Sequence, residues 1–162
     1  MISKSQIKFI EKIDSNYVIG GSNATMIYIG YEIRKCDDID LHLTKIVDES
    51  LFKKLGNVDI FYDSIPCIVY KEIRLIKLEK LIANKFNRLY VDTRSKDLYD
   101  LYFLLDLDYN IDELKEYVNK SQNIIDINND FSSFIETVNY KISINDCISK
   151  IKEFEREVGL NE

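Results

Sequence analysis

Residues 17–42 read YVIGGSNATMIYIGYEIRKCDDIDLH, and the interpretation of the whole chain turns on them. The β-rich run Tyr17-Val18-Ile19 stops at Gly20-Gly21-Ser22, a helical segment follows, and Asp38-Ile39-Asp40 opens a second apolar run. Glycines at the first turn let the backbone approach a ligand with no side chain in the way. Strand alternation sets Asp38 and Asp40 on one face and turns Ile39 and Leu41 into the core. Two neighbouring carboxylates near the amides of a helix start suit a divalent metal that carries a phosphate chain.

On the N-terminal side, Ile7, Ile10 and Ile13 recur among Lys8, Glu11 and Lys12, which predicts an amphipathic helix over 4–14. After the glycine turn, Ser22 or Asn23 is the expected cap of a helix that buries Ala24, Ile27, Tyr28 and Tyr31 and stops near Gly30. Beyond the second strand, Ile39–Leu43, Thr44 is the expected cap of a helix carrying Ile46, Val47, Leu51, Phe52 and Leu55. Val58–Tyr62 reads as a third strand, with Asp59 and Phe61 on one side and Val58 and Ile60 on the other. Asp63-Ser64 reads as a turn. Pro66 opens the run Cys67–Tyr70, where a missing amide donor is tolerable at a sheet edge, and Ile73–Ile76 is a further short strand.

From Leu78 the period becomes helical. Leu78, Leu81, Ile82 and Phe86 line one face, and Ser95 is the expected cap of a helix built on Leu98, Leu101, Leu104 and Leu105. Three more helices are expected over 111–120, 129–141 and 143–158, with Asn128 or Asn129 and Ser143 as caps. The expected fold class is α+β: a small mixed sheet with helices behind it over residues 1–76. A helical region, 77–162, completes and covers the pocket.

A chain of 162 residues with 46% hydrophobic residues, 11 tyrosines and 8 phenylalanines has material for an ordinary core and is not globally disordered. Nothing in it approaches the roughly eighteen apolar residues of a membrane span, and the charged N-terminus lacks a signal-peptide pattern. Three well-separated cysteines, Cys36, Cys67 and Cys147, match no zinc spacing and fit a reducing compartment, so a cytoplasmic protein is expected. The net charge of −6 argues against indiscriminate nucleic-acid binding. That charge is divided: residues 71–96 hold eight Lys or Arg against three acids, and residues 97–139 hold ten acids against two lysines.

Chemistry concentrates on a few side chains. Asp38 and Asp40, with Asp59 added by strand parity, form a candidate metal and catalytic set able to hold two Mg²⁺ ions. One ion would orient an incoming hydroxyl, and the other would grip a triphosphate and its leaving pyrophosphate. Gly20, Gly21 and Ser22 would cradle phosphate. His42 continues the face of Asp38 and Asp40, where it either touches substrate or completes a local hydrogen-bond network. Lys85 lies in the basic segment with Lys77, Lys80 and Arg88, as a phosphate contact would. Asp97 and Asp100 share a helix face; Asp100 either assists an acceptor hydroxyl as a base or pairs with Lys85, and a Lys–Asp tie between helices accounts for both residues equally well.

The ordered series GGSNA (20–24), RKCDDIDL (34–41), LEKLIANKF (78–86) and SKDLYDLYFLL (95–105) resembles the AbiEii-type toxin nucleotidyltransferases and the related DNA-polymerase-β-like minimal nucleotidyltransferases. The resemblance implies a nucleotidyltransferase fold, a phosphate turn at Gly20, Gly21 and Ser22, and a metal pair at Asp38 and Asp40. It places a phosphate-contacting lysine at Lys85 and a pocket-completing signature at Lys96, Asp97 and Asp100. It further implies transfer of a nucleoside monophosphate from an NTP to a hydroxyl, with tRNA the acceptor for some relatives and an antitoxin protein as partner, in toxin–antitoxin or phage-defence systems. Cys36 stands where members commonly have Ser or Thr, and many members extend further at the C-terminal helical half. Those departures keep two other readings open: a catalytically silent binding or regulatory protein of the same fold, and an enzyme whose acceptor is a small molecule such as an antibiotic, to which the negative net charge would suit a cationic compound.

Overall fold

Ser3 starts the first helix. Its hydroxyl accepts from Gln6 N at 3.2 Å while Gln6 Oε1 accepts from Ser3 N at 2.8 Å, a reciprocal box that sets the first turn of α1 (Lys4–Ile13). In this computed structural model residues 1–91, 94–119 and 131–160 are described. They fall into two units, Met1–Lys77 and Leu78–Glu162.

The first unit is built on five short strands: β1 (Val18–Ile19), β2 (Ile39–His42), β3 (Val58–Phe61), β4 (Cys67–Tyr70) and β5 (Ile73–Ile76). Their order across the sheet is β3-β2-β1-β5-β4. β1 runs antiparallel to β2 and parallel to β5, β2 runs parallel to β3, and β4 and β5 form an antiparallel hairpin, so the sheet is mixed. The hairpin turns on Lys71 and Glu72 at φ 49° and 67°, the left-handed backbone a two-residue loop demands. Register aligns Ile19 with Leu41 on one side and with Leu75 on the other, and all three are fully buried. Alternation then leaves Asp40, His42, Asp59 and Phe61 together on the opposite face.

Between β1 and β2, α2 (Gly21–Ile29) is apolar almost all round, and seven of its residues are buried. It starts on Gly20 without a side-chain cap and ends at Gly30, whose φ of 91° is left-handed. The expectation that Ser22 or Asn23 caps this helix is corrected, because both lie inside it and are buried. The expected helix after Thr44 is corrected as well. Thr44 gives both its N–H and its hydroxyl to the Asp14 carboxylate, at 2.7 and 2.9 Å, which ties it to the end of α1. Asp48 instead caps a 3-10 helix (Glu49–Leu55), in which Phe52 is the buried residue, and Ile46 is 87% exposed. One buried side chain in seven gives an α-helix too little apolar surface to bury.

The second unit is helical throughout its described residues: α3 (Leu78–Arg88), α4 (Ser95–Leu104), α5 (Ile111–Tyr117), α6 (Phe131–Ile135) and α7 (Ile144–Glu157). Its core gathers Leu81, Ile82, Phe86, Leu98, Leu101, Leu104 and Phe154. The Phe86 ring stands edge-on to Phe154 and Tyr90, with centroids 4.8 and 5.1 Å away. Ser143 caps α7 as expected, accepting from Asp146 N at 3.0 Å. Ser95 is the first residue of α4 rather than its cap, which is Arg94. The expected caps Asn128 and Asn129 lie outside the described residues. Among the described residues no helix is long and apolar enough to cross a membrane. The architecture is α+β: a mixed five-stranded sheet with helices, followed by a helical region.

Candidate active site

The turn from β1 into α2 is moulded on Asp40. Gly20 N donates to Asp40 O at 2.9 Å, which holds the turn against β2. Gly21 sits at φ +51°, and a Cβ on it would overlap the Asp40 Oδ2. A Cβ on Gly20 would come within 3.0 Å of His42 Nε2. Close approach therefore restricts both positions, and at Gly21 the left-handed backbone angle adds to it. Because no side chain caps α2, the amides of its first turn have no intrahelical partner and point out of the helix end, an arrangement that favours an anion.

Register brings two of the three acids together. Asp40 and Asp59 are direct partners on parallel β2 and β3. Asp38 precedes β2, and its backbone is anchored by the buried Asn23 side chain, whose Nδ2 donates to Asp38 O at 2.8 Å while its Oδ1 accepts from Ile2 N at 2.7 Å. Asp38 and Asp40 are half-buried and Asp59 is exposed. Carboxylate oxygens of this kind match the donor preference of Mg²⁺. Among the described residues, however, no three His, Cys, Asp or Glu side chains are gathered closely enough to hold an ion between them. The donor chemistry fits the metal, and a full ligand set is not assembled.

Two neighbours of this face carry information that spacing did not supply. His42 Nδ1 lies 2.6 Å from Asp63 Oδ1, so the aspartate read as a turn residue orients the imidazole. The His42 ring is also stacked on Phe61, with centroids 5.0 Å apart and planes at 24°. Arg34 was given no role by the sequence, yet it is buried at 4% exposure. Its Nη2 donates to Ser22 Oγ at 2.6 Å and its Nη1 to Lys35 O at 3.1 Å, which places a guanidinium beside the glycine turn. Arg34 lies in the connection between α2 and β2, outside any strand, so no periodicity marks it. Cys36 is half-buried and forms no disulfide among the described residues.

The remaining predicted residues form a separate constellation in the second unit. Lys85 on α3 sends its ammonium to Asp97 Oδ1 at 3.1 Å and to Asp100 Oδ2 at 2.7 Å, both on α4. Arg94 adds a second cation, with Nε and Nη2 reaching Asp97 Oδ2 at 2.8 and 2.7 Å. Lys85, Asp97 and Asp100 are 6%, 2% and 0% exposed. Burial pushes the Asp97 carboxyl up, but the charges of Lys85 and Arg94 outweigh it and hold the group below the usual aspartate range. Lys96, the neighbour of Asp97 in the signature, is half-buried.

A family model described as nucleotidyl transferase AbiEii toxin, type IV TA system, matches residues 28–157. The matched span takes in the strand acids and the Lys85 network and begins after the glycine turn. No curated protein and no solved structure matches the chain.

Proposed function

The chain belongs to the AbiEii family of nucleotidyltransferase toxins, and from that premise we propose that it transfers a nucleoside monophosphate from an NTP to a hydroxyl of an acceptor, with tRNA as the first acceptor to test. The observation that carries this reading is the glycine turn shaped around Asp40, which in turn lies in register with Asp59. In this reading the amides of Gly21 and Ser22 and the nearby Arg34 guanidinium receive the triphosphate. Asp38 and Asp40, with Asp59 beside them, would hold Mg²⁺, which when bound supplies charge neutralisation at the phosphates. Asp40 also orients the turn, since its backbone carbonyl fixes Gly20 and its side chain fills the space Gly21 leaves open. An antitoxin partner belongs to the same proposal, and a small-molecule acceptor is the alternative to tRNA.

A second reading of Lys85, Asp97 and Asp100 is favoured by their burial. They act as a clasp between α3 and α4, and their contribution to transfer then runs through the fold of that unit. The proposal is tested with purified protein, NTPs labelled at the α-phosphate, Mg²⁺ and total tRNA. Label on RNA that disappears with Asp40→Asn is the expected result. Absence of both label transfer and Mg²⁺-dependent NTP binding would overturn it.

A further inference from the structure

Phe61 is 42% exposed on β3, which is an edge of the sheet, so one side of its ring is open to solvent and no further strand covers it. Its other side rests on His42, its register partner, and His42 is itself held by Asp63 at 2.6 Å. Two nearly parallel rings are thus fixed before any ligand arrives, which removes much of the ordering cost of a third ring. This stack is two residues along from the Asp40–Asp59 pair on the same face. At about 3.3 Å per residue, the strand positions that carry the rings lie about 7 Å beyond those that carry the carboxylates, a separation one ribose bridges.

The sheet order assigns the two sides of the site. Asp40 stands on β2, between β1, whose end is the glycine turn, and β3, which carries Asp59 and Phe61. If the triphosphate rests on the turn, His42 borders it, with its Nε2 3.0 Å from where a Gly20 Cβ would stand, and Phe61 on β3 lies on the side away from it. In-line displacement requires the attacking hydroxyl to come from the side opposite the leaving pyrophosphate. The surrounding acids Asp59 and Asp63 repel a phosphate backbone, so the contact available here is with one base rather than with a duplex. We propose that the Phe61–His42 stack is a shelf for the nucleobase of the acceptor's terminal nucleotide. This deepens the nucleotidyltransferase reading and rests on it.

Binding tests the shelf without requiring turnover. Fluorescently labelled single-stranded RNA oligonucleotides, with an intact or an abasic 3′-terminal nucleotide, are titrated onto the full chain in Mg²⁺ and followed by anisotropy. The wild-type protein and Phe61→Tyr should prefer the intact end by about 5- to 100-fold, the range for loss of one stacked base. Phe61→Leu should bring that preference close to one while NTP binding is unchanged. Equal wild-type affinity for the two oligonucleotides, or no RNA binding, overturns the shelf. So does a preference that survives in Phe61→Leu, or a Phe61→Leu defect confined to NTP binding, which would place the incoming base there instead. The wild-type comparison stands even if the leucine variant misfolds. NTP binding and label transfer, measured in parallel, separate failure of the shelf from failure of the nucleotidyltransferase reading.

Discussion

Asp38 and Asp40 in one unit and Asp97 and Asp100 in the other are closely spaced acid pairs of similar appearance in the sequence, and they end in opposite surroundings. The first pair sits half-buried at the start of a strand, next to a helix terminus and beside the exposed Asp59. Among the described residues, no hydrogen bond or ion pair is found for the side chains of Asp38 and Asp59. The second pair is buried and clamped by Lys85, with Arg94 on Asp97. Burying a carboxylate is tolerable only with a partner, and Lys85 and Arg94 supply it here, tying α3 to α4. Asp38, half-buried beside the exposed Asp59, keeps its oxygens within reach of a ligand. A shared face is set by spacing, whereas the use of that face is set by what else arrives there.

The comparison can be broken most forcefully in the second unit. Asp100→Ala leaves a buried ammonium short of a partner and should cost about 3–5 kcal/mol, read as a lower urea midpoint. The matching substitution in the first unit should leave stability nearly alone and act on chemistry. Asp38→Asn is expected to lower the rate of nucleotidyl transfer by about 10²–10³-fold, with unfolding free energy within about 0.5 kcal/mol of the parent. If Asp38→Asn instead destabilised the chain as strongly as Asp100→Ala, the contrast between the two pairs would be lost.

Gly21→Ala joins both effects at an intermediate size. The left-handed backbone and the overlap with Asp40 predict a loss of about 1–3 kcal/mol in stability, and displacement of Asp40 predicts a drop in NTP binding, measurable by calorimetry. The smallest effect is a pH dependence. Asp97 has a folded-state pKa below its unfolded value, so its contribution to stability is present above about pH 3.9 and is lost as the pH falls through the lower folded value. Urea unfolding between pH 2 and 6 should therefore show stability falling with acidification in that window. A flat profile there would show that the clasp does not favour the charged form.

Much of this arrangement was legible beforehand, for local reasons. Gly21 and Gly30 mark where backbone angles leave the ordinary range, and the two-residue period of 38–42 placed the acids opposite Ile39 and Leu41. The α+β class followed from strand-and-helix alternation giving way to helices after residue 77. Other features were not legible because their partners are distant in the chain. Thr44 looked like a cap, and Asp14, thirty residues away, took both its donors. Asp63 looked like a turn residue and proved to hold His42, twenty-one residues away. Arg34 drew no attention until its contact with Ser22 was visible.

By itself, then, the sequence determined most of the elements, the parity of their faces and the family to which their motifs belong, because each depends on neighbours a few residues apart. Only the tertiary structure decided which charged groups are clasped and which face outward. A charge's energy depends on its burial and on the distance to its partner. Both are properties of packing: they bring Lys85 to Asp97 and Asp100, and they leave Asp59 exposed beside Asp40.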